Sequence, residues 1–401
     1  MKASQICVAI AFISNVALYS QTPDARRDDS TYYDLQQAYL TPEKVYRLVL
    51  THQKINIESA DLSVFTNLTF LALAHDSLFN LPKGLEKLKN LKILDISANN
   101  FTLLPAELSL IPNLEELYLN NEQHLNLKQG FEVINKITHL KKLHLDSIPN
   151  FKFPKYFKLN NSIEYLSLRY NNLERIPDNL NKITHLKTLD LDGNAITTIG
   201  RSFLKNKEIE SLIITISPQF KFKKSFLILS KETKLNSLTI SNSQFETIPG
   251  DIALLTNVTS LSLRNDHLTV FPESILRMKN LKSLDLSGND FKSIPSTLLF
   301  LNKLETINLS NDNYLNFNNA ADVIRYLPSL RVIEVDSYDF TFEASSYRQF
   351  RQSKHYIELF PATKQNKEVH LFKRLEPLRK PVLNTPFNNF NAEGFGIRLG
   401  W

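Results

Sequence analysis

The sequence predicts an α/β solenoid, a stack of short parallel strands joined by brief return segments. Three observations predict it. One motif recurs from Val45 onward, with further starts at Leu68, Leu91, Leu114, Leu140, Ile163, Leu186, Ile209, Leu235, Val258, Leu281, Leu304 and Leu330. Each copy carries two apolar residues two places apart, the spacing that puts both on one face of a strand. The units are 23 residues long, except that every fourth one has 26. A 401-residue chain built this way is one long array, with a core that continues from unit to unit.

The first twenty residues, MKASQICVAIAFISNVALYS, place one lysine before an apolar stretch and end on a small residue. That is the pattern of a cleaved export signal, and it is too short and interrupted for a good membrane span. Loss of Lys2 takes the net charge from +6 to +5. Cys7 is the only cysteine and lies inside this segment, so the mature chain has no disulfide, thiolate nucleophile or cysteine-bound metal. Residues 21–44 are expected to cap the open end of the first repeat, with a short helix from Tyr33 to Leu40. Without such a cap the end unit exposes its leucines.

The array proper covers 45–341. Its consensus is L-x-x-L-x-L-x-x-(N/D)-x-(L/F/I)-x-x-(I/L/F)-P-x-x-(L/I)-x-x-(L/I)-x-(N/H/K), and 91–113 and 281–303 are close copies. The Asn or Asp at the ninth place (Asp76, Asn99, Asn171, Asn194, Asp266, Asn289, Asp312) has a side chain able to bond the backbone where the chain leaves the strand. Ile148, Ser217 and Ser243 break that column, which predicts looser turns there. The proline column (Pro82, Pro105, Pro154, Pro177, Pro249, Pro272, Pro295) predicts an extended return path rather than a long helix.

These motifs resemble the leucine-rich repeat family, in its 23-residue LPxxL form as found in exported bacterial proteins. The resemblance covers about residues 45–340. It implies a leucine-rich-repeat solenoid, curved, with the parallel sheet on its concave face, and a binding module rather than an enzyme. The stretch 30–50 is similar to the lead-in of many bacterial members.

Three units are long: 114–139, 209–234 and 304–329. Their starts lie 95 residues apart, which divides the array into blocks 45–139, 140–234 and 235–329, with a partial unit at 330–341. Equal insertions in equal phase point to duplication of a four-repeat block. The long units lack the proline and share an apolar pair (Leu125/Leu127, Phe220/Phe222, Leu315/Phe317). Apolar residues at Val133, Ile134, Ile137 and at Val323, Ile324, Leu327 then have the spacing of a short helix. A helical turn on the convex side is therefore expected at every fourth repeat.

Residues 342–401 are expected to form a C-terminal cap and tail. A helix and an edge strand are expected within 342–360, and prolines at 377, 381 and 386 argue for irregular chain. Phe395, Ile397, Leu399 and Trp401 alternate as a strand does. About eight strands make a barrel, and this segment is too short to supply them.

On the concave face the expected contact residues are Tyr118, His144, Tyr165, Arg169, Tyr170, Asp190 and Asp192, which fall on consecutive repeats. Tyr and Arg dominate interface energetics. Asp146, Arg169 and Asp192 form an acid–base–acid row. His144 lies near Asp146 and Asp190, yet no motif supplies a nucleophile, so no catalytic residue is assigned. No phosphate loop, dinucleotide fingerprint or His-Glu-x-x-His sequence occurs, so no cofactor or metal is expected. The basic residues are interspersed with acids, which argues against nucleic acid. The expected function is a monomeric, non-enzymatic binding module. It presents its concave sheet to a protein or glycan partner outside the cytoplasm, secreted or at the cell envelope, with no transmembrane span in the mature chain. The alternative is a structural envelope component retained through its C-terminal tail.

Overall fold

The computed structural model describes residues 30–52, 57–153, 162–245, 247–312, 314–324 and 326–335, together with two strands near the C-terminus. The export signal and the cap helix expected within 342–360 lie outside these residues. The strands are β1 (Thr31–Tyr32), β2 (Arg47–Val49), β3 (Phe70–Ala72), β4 (Ile93–Asp95), β5 (Glu116–Tyr118), β6 (Lys142–His144) and β7 (Tyr165–Ser167). They continue with β8 (Thr188–Ile196), β9 (Ser211–Ile216), β10 (Ser237–Ser241), β11 (Ser260–Arg264), β12 (Ser283–Asp285), β13 (Thr306–Asn308) and β14 (Val332–Val335). β15 (Tyr356–Pro361) and β16 (Phe395–Gly400) complete a 16-stranded sheet.

From β1 to β14 the strands pair in parallel and in chain order. The register matches the repeat position by position: Leu48 faces Leu71, Leu71 faces Leu94, and Leu166 faces Leu189. These leucines, and the second column at Leu50, Leu73, Leu145 and Leu191, are fully buried and stack into one continuous core. Each such side chain contributes roughly 1.5–3 kcal/mol relative to exposure. β16 joins the far end antiparallel, between β14 and β15. Phe395, Ile397 and Leu399 of the alternating C-terminal run thus lie in a strand of this sheet.

The N-terminal helix starts two residues later than the expected Tyr33. A helix, α1, runs Leu35–Leu40 because Asp34 caps it by accepting from the Gln37 N–H at 2.8 Å. Just before it, Thr31 and Tyr32 pair in β1 against β2.

The ninth-place asparagines account for the exit from each strand. Asn99 accepts from the Asp76 and Leu78 N–H groups and donates to the Leu73 and Ile96 carbonyls, all within 3.1 Å. Asn194 and Asn289 repeat the pattern four and eight units further along. Ser217 and Ser243 do not loosen the chain, contrary to expectation. Pairing runs on through this part of the sheet, next to Asn194 as well as at Ser217. β8 has 9 residues, β9 has 6, and Ser217 N–H still reaches the Ile196 carbonyl at 3.0 Å.

Prolines 105, 177, 249, 272 and 295 each cap a single 3-10 turn of five residues, such as Ala106–Leu110 and Ser296–Phe300. The long units replace that turn with α2 (Leu127–Ile134), α3 (Phe222–Leu229) and α4 (Phe317–Ile324). No helix of the described residues is long and apolar enough to cross a membrane.

Candidate functional site

The centre of the concave face is built on β5 to β8, where register puts Tyr118 opposite His144, and Ser167 opposite Asp190. Strands ~4.8 Å apart force neighbouring side chains into contact. The Tyr118 and His144 rings stack with centroids 3.8 Å apart and planes 10° apart, and Tyr165 leans on His144 at 5.1 Å. The contact buries what lies in the middle. His144 and Asp190 are less than a tenth exposed and Asp192 is nearly inaccessible, whereas open concave positions were expected there. Tyr118, Tyr165, Arg169 and Tyr170 remain half-buried and form the accessible surface.

His144 does not pair with Asp146 or Asp190. Its Nε2 lies 3.0 Å from Glu116 Oε1, one strand earlier, and the Tyr118 hydroxyl donates to the same oxygen at 2.6 Å. Lys142 Nζ contacts Glu116 Oε2 at 3.1 Å. Burial works against the Glu116 charge. The His144 and Tyr118 bonds and the Lys142 charge outweigh it and hold the carboxyl down at about 2.

Arg169 and Asp192 do form the expected ion pair, at 3.0 Å. Asp146 plays a different part. Its Oδ1 accepts from the Arg169 backbone N–H at 2.8 Å and from the Ser167 hydroxyl, rather than from the guanidinium. Asp192 is the hub of the patch: its Oδ1 also accepts from Thr215 at 2.7 Å and Ser241 at 2.8 Å. Burial opposes the Asp192 charge, but Arg169 and those hydroxyls keep its pKa below the usual carboxylate value. Asp190 lacks that support. Burial, only partly offset by Arg169, pushes it up to about 6. Tyr165 reaches Asp190 Oδ2 at 3.4 Å. The Arg169 guanidinium also lies 5.4 Å from the Tyr170 ring, over the attractive face of the aromatic system. Tyr170 in turn rests on Gly193, where φ is +69° and a methyl would overlap the ring.

The seven expected residues therefore form one contiguous cluster, of which Tyr118, Tyr165, Arg169 and Tyr170 are accessible and His144, Asp190 and Asp192 lie buried beneath. Glu116, Thr215 and Ser241 were missed. Glu116 shares its repeat position with Tyr165, and that third column facing the concave side was the signal available. Among the described residues no group of three or more His, Cys, Asp or Glu could hold a metal ion.

The family model described as "Leucine rich repeat" matches residues 233–291 and 256–315, and a second, "Leucine Rich Repeat", matches 90–110. Human lumican is 31% identical over 139 residues, which is 34% of this chain and 40% of lumican. Lumican of Oryctolagus cuniculus is 33% identical over 139 residues, 34% of this chain and 70% of the relative. This chain belongs to the leucine-rich repeat family. It spans about 40% of the length of the human relative. The structure titled as the TLR13–ssRNA13 complex superposes with TM-score 0.52 at 19% identity, covering 75% of this leucine-rich repeat chain and 54% of that one. The Toll–Spatzle complex from Drosophila gives TM-score 0.50 at 17% identity, covering 76% and 44%. Both are likenesses of fold.

Proposed function

We propose that this leucine-rich repeat protein is a non-enzymatic binding module that presents the Tyr118–Tyr165–Arg169–Tyr170 surface, backed by His144, to a protein or glycan partner outside the cytoplasm. One observation carries the reading. Accessible tyrosines and an arginine are held in place from below by buried Glu116, Asp190 and Asp192. A surface fixed before binding loses little further side-chain entropy when a partner arrives. The family supports a protein-binding scaffold, and the first twenty residues support export to the medium or cell envelope. The similar Toll and TLR13 structures are complexes with Spatzle and with ssRNA13. The interspersed charges of this chain support a protein over a nucleic acid here. Pairing of β16 with β14 supports a folded C-terminal cap over a free retention strand. The 95-residue spacing of α2, α3 and α4 supports a block-duplicated array.

The test is affinity capture with the mature chain and with a Tyr118→Ala/Arg169→Ala variant. Truncating two central anchors is expected to reduce partner recovery at least tenfold, since anchors of this type contribute about 2 kcal/mol each. Unchanged recovery by the variant rejects this face.

A further inference from the structure

The convex side carries a pattern of its own. In the consensus, one apolar position late in each return segment is buried: Phe65, Leu88, Ile111, Ile137, Leu255 and Leu301 are examples. The residue just before it is exposed in each of the eleven repeats whose return segment is described there. It is basic in six, at Lys87, Lys136, Lys182, Lys205, Lys231 and Arg277. In the other five it is apolar or aromatic, at Val64, Leu110, Leu254, Phe300 and Tyr326. No acid and no small polar residue occurs in this column. The residue after the buried one adds Lys89, Lys207 and Lys279, again without an acid in its column.

Single exposed apolar residues are ordinary on a protein surface. Five of them in one row whose other described members are all bases are not. The flank at the strand starts shows what a merely solubilising row looks like. There the charges alternate and pair: Lys92 and Lys141 both contact Glu115, Lys187 contacts Glu164, and Lys282 contacts Glu305. The convex row itself holds no acid, and the acids nearest to it, Asp61 by Lys87 and Glu232 by Lys207, belong to other columns. Its apolar members are open: Leu110 is 59% exposed, Phe300 60% and Tyr326 64%. They concentrate toward the C-terminal end, where Leu254, Arg277, Phe300 and Tyr326 lie on four successive repeats. Lys279 Nζ sits 5.2 Å from the Phe300 ring centroid.

We propose that this convex row, centred on Leu254, Arg277, Lys279, Phe300 and Tyr326, docks the solenoid onto an anionic lipid surface. The chemistry favours lipid over another polyanion. Lys and Arg near an anionic headgroup layer each gain about 1 kcal/mol, and any polyanion would offer that. Leu254 and Phe300 between them gain nothing from a phosphodiester or sulfated chain. They gain from the headgroup–acyl boundary, which accepts apolar side chains and cations side by side. Because the row is on the side opposite the sheet, lipid docking leaves the concave face open, and the inference does not depend on what that face binds.

The test is co-sedimentation of the mature full-length chain with phosphatidylcholine vesicles, with and without phosphatidylglycerol. Binding is expected only to the anionic vesicles and falls as salt rises. Arg277→Gln/Lys279→Gln should weaken it about 30-fold, two cations at about 1 kcal/mol each. Leu254→Ser/Phe300→Ser, which keeps every charge, should weaken it about tenfold or more. Tyr118→Ala should leave vesicle binding unchanged. Each variant is first checked for an unaltered unfolding midpoint, and these exposed positions should pass. Three results would overturn the proposal. One is no recovery with anionic vesicles. Another is recovery unaffected by both double variants. The third is binding that survives Leu254→Ser/Phe300→Ser intact and is displaced by an oligonucleotide, which would make the row a polyanion site.

Discussion

Asp266 stands where the repeat asks for asparagine. Asn289, one unit on, donates both amide hydrogens to the Leu263 and Leu286 carbonyls, and Asn194 and Asn99 do the same in their own units. By register the equivalent acceptors for residue 266 are the carbonyls of Ile240 and Leu263. A carboxylate has nothing to donate to them. Asp266 is completely buried; one oxygen accepts from the Ser243 N–H at 2.8 Å and the other has no partner. Burial pushes its pKa up to about 8, with Asp192 and Asp285 adding to the rise and Arg264 opposing it. Burial therefore favours the protonated carboxyl in the folded protein at neutral pH. In the unfolded chain it ionises near pH 4. The stability it lends is complete below that value and is lost as pH rises through about 8, at about 1.4 kcal/mol per unit in between. Glu122 occupies the same column three repeats before Asn194 and is likewise pushed up by burial, to about 7. Asp266→Asn is expected to raise the unfolding midpoint at pH 7.5 and to change it little at pH 4. Thermal melts across that range check the sign, and a midpoint lowered at pH 7.5 contradicts it.

At the scale of elements, the long units were legible as helices, but their starts were not. Val133, Ile134 and Ile137 locate the apolar face of α2, whereas Leu125 and Leu127 read as a two-residue alternation. The helix nevertheless begins at Leu127, because the Asn126 side chain accepts from the Gln129 N–H at 3.2 Å. A cap of that kind depends on one side-chain rotamer, which apolar spacing does not encode. In α3 and α4, too, the second member of the apolar pair is the first helical residue. The helices also tie backward. Gln129 bridges the Leu104 N–H and carbonyl, and Ser225 accepts from the Ile199 N–H at 3.1 Å. Asn126→Ala removes the cap and should cost about 1 kcal/mol. Denaturant unfolding would show the lower midpoint, and hydrogen exchange should quicken in α2 before other segments. Unchanged exchange in α2 would mean that packing, not the cap, holds its start.

At the scale of the whole molecule, the core and the outline of the concave patch were readable because register follows repeat position. Tyr118, His144 and Tyr165 had to meet once their repeats were adjacent. Which carboxylate His144 would choose was not readable, since Glu116, Asp146 and Asp190 all lie within a strand or two of it and rotamers decide among them. The same register makes a severe prediction. In a solenoid each repeat contacts only its neighbours, so cooperativity passes through every interface in turn. Leu189 is fully buried at the middle of the array, paired in register with Leu166 on one side and Leu212 on the other. Leu189→Asp puts a carboxyl among leucines with no donor placed to meet it. Burying that charge, or neutralising it, costs several kcal/mol at an interface both halves need. The expected outcome is loss of the single cooperative unfolding transition, measured by circular dichroism against denaturant. Leu189→Met keeps volume and polarity and should shift the midpoint by less than about 1.5 kcal/mol. A Leu189→Asp protein that unfolds with the cooperativity and midpoint of the unsubstituted chain would show that residue 189 faces solvent. Every column assigned from the repeat, concave and convex alike, would then be displaced by one place.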